Sequence, residues 1–82
     1  MKLTPEYEAL CELCDTAGWR LELGHAVIPV VKGTIWWLRV TNPAEEKSCY
    51  AEAKFADIAH HLNQLVERVH AEIVDREWIS PS

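Results

Sequence analysis

The sequence predicts a small α+β domain with the element order α-β-β-β-α, a three-stranded antiparallel sheet with two helices on one face. Three observations carry this reading. Gly33-Thr34-Ile35-Trp36-Trp37-Leu38-Arg39-Val40-Thr41 is dominated by β-branched and aromatic residues and is the strongest strand signal in the chain. The stretches on either side of it alternate apolar and polar residues with period two. Towards both ends of the chain, apolar residues recur at helical spacing.

At 82 residues the chain reads as one domain, residues 1–82, with 79–82 as a loose tail. Thirteen acidic residues against eight basic ones give a net charge of −5, and no two of the eight basic residues are adjacent. Such a surface repels nucleic acid and anionic lipid. No apolar run approaches the roughly 20 residues that span a bilayer, and Met1-Lys2-Leu3-Thr4-Pro5-Glu6 reaches acid before an apolar signal region forms. The odd cysteine count suits reduced thiols. Together these predict a cytoplasmic protein.

In chain order, Thr4-Pro5-Glu6 opens the first helix with a capping hydroxyl, a proline already at helical φ and an acid at the positive dipole end. Gly18 stops it after Ala17. Leu3, Tyr7, Leu10, Cys14 and Ala17 form its apolar stripe, widened by Cys11 and Leu13, while Glu6, Glu8, Glu12 and Asp15 point away. Strand one is expected from Trp19 to Val31, weakened by Gly24 and Pro29 and so suited to a sheet edge. A two-residue turn at Lys32-Gly33 then sets Val31 opposite Thr34, Val27 opposite Leu38 and His25 opposite Val40. Asn42 to Lys47 is a polar loop. Strand three, Ser48 to Lys54, alternates the small residues Cys49, Ala51 and Ala53 with polar ones, a face that admits a helix closely. That helix is expected from Phe55 to about Trp78, with Phe55, Ile58, Ala59, Leu62, Leu65, Val66, Val69 and Ile73 facing the sheet.

Cys11, Cys14 and Cys49, with one of His25, His60 or His61, contain the donors of a zinc site, but at the spacing of no known ribbon or finger. All three cysteines fall on apolar faces, where a thiol packs as a compact hydrophobe. Asp57 and His61 share a helix face at i and i+4, which suits a surface pair as well as an oriented base. The expectation is no enzyme, no cofactor and no metal. The aromatic residues say more. With both helices on the side of Trp36, Leu38 and Val40, the other sheet face carries Ile28, Val30, Ile35, Trp37, Arg39 and Tyr50 with nothing to cover it; with the helices divided between the two faces, all of these would be core. Trp, Tyr and Arg are the residues enriched at binding hot spots. Trp78, beyond the last core position at Ile73, is expected either as a second contact, because a helix to residue 78 outruns the sheet, or folded back under helix one to plug the open end of the core.

The order of elements resembles the double-stranded-RNA-binding domain. That family grips phosphate with lysines at the start of its last helix. Here Lys54-Phe55-Ala56-Asp57-Ile58 sets one lysine beside an aspartate, and helix one is acidic, so no binding residue carries over. In composition the chain resembles the small acidic inhibitors that phages encode against bacterial immunity, the anti-CRISPR proteins, which occlude a nucleic-acid-handling protein. These considerations lead to a small acidic protein that binds and inhibits another protein, or pairs with its own copy, through the uncovered sheet face and the acidic helix face of Glu8, Glu12 and Asp15. The alternatives are a homodimeric structural domain, a zinc-stabilised one, or an RNA-binding-domain-like fold with altered function.

Overall fold

A computed structural model describes residues 4–54, 58 and 61–79. Helix α1 (Pro5–Ala17) begins where expected. The Thr4 hydroxyl accepts the Tyr7 N–H at 3.1 Å, satisfying one of the donors that a helix start leaves free. It ends at Gly18, whose φ of 78° is left-handed, and the N–H groups of Gly18 and Trp19 both donate to the Cys14 carbonyl. Tyr7, Leu10 and Cys14 are buried, and Cys11 and Leu13 are half-buried. Ala17, assigned to the stripe, is exposed, and Leu3 lies outside the described residues.

The strands are β1 (Arg20–Ile28), β2 (Gly33–Asn42) and β3 (Lys47–Lys54), antiparallel in the spatial order β1-β2-β3. The first hairpin corrects the expected register. Pro29 has no N–H to give to a ladder and a φ already suited to a helical turn. The strand therefore ends at Ile28, Pro29–Val31 form a 3₁₀ turn, and Lys32 closes it at φ 52°, its N–H donating to the Pro29 carbonyl at 3.1 Å. Pairing moves by four residues, so that Leu21 faces Val40, Leu23 faces Leu38, His25 faces Trp36 and Val27 faces Thr34. Four is even, so every side chain that stays in the two strands keeps its expected face.

Both helices cover the inner face of the sheet. Leu38, Val40, Cys49 and Ala51 are at most 2% exposed and pack with Tyr7, Leu10 and Cys14 of α1 and with the second helix. Burying a leucine this fully contributes roughly 1.5–3 kcal/mol. Coverage fades towards the hairpin tip. Trp36, expected deep in the core, is half-buried with its ring 4.6 Å from that of His25, and Val27 beyond it is 71% exposed.

Helix α2 (Leu62–Asp75) is shorter at both ends than expected. His61 is its N-cap, its N–H donating to the carbonyl of buried Ile58, and Phe55, Ala59 and His60 lie outside the described residues. Leu62, Leu65, Val66, Val69 and Ile73 are buried. At the far end Trp78 N–H donates to the Ile73 carbonyl at 3.1 Å and Glu77 N–H to the Val74 carbonyl at 2.9 Å, with Glu77 at φ 59°. This is a Schellman closure with glutamate where glycine is usual. It turns the chain back, and Trp78 packs on Trp19 at 5.4 Å between ring centroids, with Ile79, expected in the tail, also against the core. The expected helical overhang carrying Trp78 is therefore absent. No helix among the described residues is long and apolar enough to cross a membrane.

A non-glycine residue at left-handed φ is strained by roughly 1–2 kcal/mol. Glu77→Gly is therefore expected to stabilise the fold by about 0.5–1 kcal/mol after its own entropic cost, read as a raised Tm; an unchanged or lower Tm refutes the strain. Burial pushes the thiols of Cys14 and Cys49 from 9.0 up to about 11, with Cys11 adding to the first and Glu72 to the second. Between those values the unfolded chain loses thiol protons that the folded chain keeps. Stability should be unaffected by these groups below pH 9 and fall as the pH rises from 9 to 11. Tm measured against pH should fall less steeply in Cys14→Ala and Cys49→Ala; equal slopes in all three proteins refute the assignment.

Candidate functional site

The outer face of the sheet is built from the residues that alternate with the core set. Across the three strands the rows are Glu22, Arg39 and Tyr50; Gly24, Trp37 and Glu52; and Ala26, Ile35 and Lys54. No described element covers them. The absence of a side chain at Gly24 sets the geometry of the middle row. A Cβ there would lie 2.2 Å from Cζ2 of the Trp37 ring, so the indole reaches over β1 into space that only glycine leaves.

Arg39 fixes the next row. Its Nε and Nη2 donate to the two carboxylate oxygens of Glu22 at 3.2 and 2.9 Å, and its guanidinium sits 5.5 Å from the centre of the Trp37 ring. Hydrogen bonding from Arg39 holds the Glu22 carboxyl below its usual range, and the same bond raises Arg39. Arg20 approaches Glu22 at 3.5 Å from the other side. Tyr50 is 44% exposed and donates its hydroxyl to Glu52 at 3.1 Å. Partial burial raises its phenol first, and the Glu52 bond adds to that.

Ile28, Ile35, Trp37, Arg39 and Tyr50 thus share one face, as the alternation predicts. Val30 does not: it stands in the 3₁₀ turn at the hairpin tip, 91% exposed, because the strand ends before it. Trp78 sits with Trp19 at the end of the core, apart from this face. Glu8, Glu12 and Asp15 are exposed on α1, which packs on the inner face, so they point away from the aromatic rows. His25 also moves. In the observed register it stacks on Trp36 instead of flanking Val40 near Cys49. Among the described residues no three His, Cys, Asp or Glu side chains converge as metal ligands. Asp57 lies outside the described residues, and His61 sits before α2, where its Nδ1 meets the Gln64 amide at 3.0 Å.

Two features escaped the sequence reading. A groove of about 400 Å³ runs between α1 and α2, floored by Leu10, Leu13 and Val66 and flanked by Glu6, Glu67 and His70. It reflects the angle at which two amphipathic helices meet, which neither stripe specifies alone. Also, α2 reaches over the outer edge of β3: Glu72 accepts the Tyr50 N–H at 3.2 Å and Arg68 donates to the Glu52 carbonyl at 3.0 Å. Their spacing at i and i+4 put both on one helix face, but which strand edge they would meet was not written in that spacing. Comparison with protein-family models, with curated proteins and with solved structures finds no match for this chain.

Gly24→Ala is expected to lift the indole off β1 and loosen the Arg39 contact, costing about 1–3 kcal/mol. Near-UV circular dichroism and Tm check it, and an unchanged spectrum with unchanged Tm would show that the ring does not depend on the glycine.

Proposed function

We propose that the chain is a non-enzymatic interaction protein whose outer sheet face binds another protein. The observation that carries the reading is the ordering of Trp37, Arg39 and Tyr50 on a face that no described element covers. Exposed tryptophan and arginine side chains ordinarily lose rotamer freedom when a partner arrives. Here Gly24 and Glu22 already hold them. A face organised in advance in this way suits a hot spot, with its rim supplied by Glu52, Lys54 and Ser48.

The acidic side of α1 contributes at longer range. Glu8, Glu12 and Asp15, with the net charge of −5, favour a partner with a basic surface, such as one that handles nucleic acid, and speed its approach. Because these carboxylates lie opposite the aromatic rows, a flat partner meets the sheet face while the helix carboxylates only steer it. Inhibition follows if that basic surface is the partner's working site.

The test is capture of the bound protein from source cells, its identification, and titration of the purified pair. Trp37→Ala and Tyr50→Ala should each weaken binding by about 2 kcal/mol or more, with folding free energy changed by about 1 kcal/mol or less. Unchanged affinity in both variants would refute the sheet face as the site.

A further inference from the structure

We propose that β1 pairs antiparallel with β1 of a second copy, about a two-fold axis beside Gly24, joining two sheets into one. This goes beyond the binding of another protein and uses a different surface, the sheet edge.

The two edges of the sheet are treated differently. On β3 the outward Tyr50 N–H and Glu52 carbonyl are taken by Glu72 and Arg68, which hinders strand addition there. On β1 no described side chain takes the corresponding groups. Leu23-Gly24-His25-Ala26-Val27-Ile28 carries no Lys, Arg, Asp or Glu, and Val27 and Ile28 are 71% and 38% exposed. A strand with such an edge is a template for another strand.

The bonding pattern can be followed across the sheet. In β3 the even residues point outward, so its odd residues bond to Trp36, Leu38 and Val40 of β2. The odd residues of β2 then bond to Arg20, Glu22, Gly24 and Ala26. That leaves Leu21, Leu23, His25 and Val27 with N–H and C=O directed outward.

One two-fold register uses the whole strand. With Gly24 opposite its own copy, Leu21 meets Val27 of the second molecule and Leu23 meets its His25, so outward groups meet outward groups. Val27 is covered by a leucine, Arg20 lies beside Ile28, and Glu22 beside Ala26, so no like charges oppose each other. The Trp37 indole already lies over Gly24. In this register the near edges of the two indoles meet over adjacent glycines, whose strands lie about 4.8 Å apart. A strand with a side chain at that position would push into the rings; the chain's own strand does not. The interface is about 30 Å long and buries on the order of 1,000 Å² in total, the lower bound for a specific pair.

Sedimentation of the full chain over about 5–500 µM tests this. The expected result is a concentration-dependent rise from 9.4 kDa towards twice that mass. Val27→Pro removes an outward donor without touching the ladder to β2, and Val27→Lys places charge on the seam at an exposed position. Each should weaken self-association tenfold or more with the far-ultraviolet spectrum retained. If the proline variant does not fold, the lysine variant decides. A monomer at every concentration, or a dimer unchanged in the folded Val27 variants, overturns the proposal. A dimer that survives Val27→Lys and is lost only in Trp37→Ala is joined face to face and also overturns it. Because Val27 is off the outer face, Val27→Lys should keep its affinity for the partner protein, so the two readings fail separately.

Discussion

The close seating of α2 on β3 is the constraint from which the rest of the structure follows. Cys49 and Ala51 present so little side chain that the helix comes down onto the strand, and Leu65, Val69 and Ile73 close over it with no exposed surface. At that distance the polar flank of the same helix reaches past the strand. Glu72 and Arg68 take up edge groups of β3, and Glu72 also receives Arg76 at 3.0 Å. Larger residues on β3 would lift the helix, and the edge would then be as bare as that of β1.

That seating also decides where α1 goes. With α2 over β3 and part of β2, the inner surface left is that of β1, and α1 lies there with its acidic side turned from the sheet. The shortest dimension of the molecule, 18 Å, is that of one sheet and one layer of helices. No described element forms a second layer on the outer side. The aromatic and charged rows there pack on one another, across strands: indole over glycine, guanidinium over indole, carboxylate against guanidinium. The result is a surface that is both apolar and ordered. It lies one strand away from the edge of β1, whose outward groups no described side chain takes, so both candidate interactions of this protein draw on the β1–β2 hairpin.

Much of this could be read from the residues. The alternation along Thr34 to Thr41 separates the two faces of the strand without ambiguity, because the period of a strand is two whatever its register. Thr4, Pro5 and Gly18 mark the ends of α1 through local hydrogen bonds and local φ, which need no distant partner. Where the reading failed, the deciding contact was distant or the local signal was silent. By its residues Pro29 suits a bend inside an edge strand, but the 3₁₀ turn it begins displaces the pairing by four residues. The end of α2 carried no glycine to announce it. A glutamate was driven into the left-handed region there, where Trp78 finds Trp19 some sixty residues earlier in the chain.

The element order and the division of each strand into two faces were legible in the residues alone, since both follow from periodicity and from short-range capping chemistry. Packing had to settle the seating of both helices on one face of the sheet, the register of the first hairpin, the return of Trp78 to the core, the support of the Trp37 ring by Gly24, and which of the two sheet edges is closed. Each of those is a contact between residues far apart in the chain, or a choice between two turns of similar local energy, and it is the packing of the whole that selects among them.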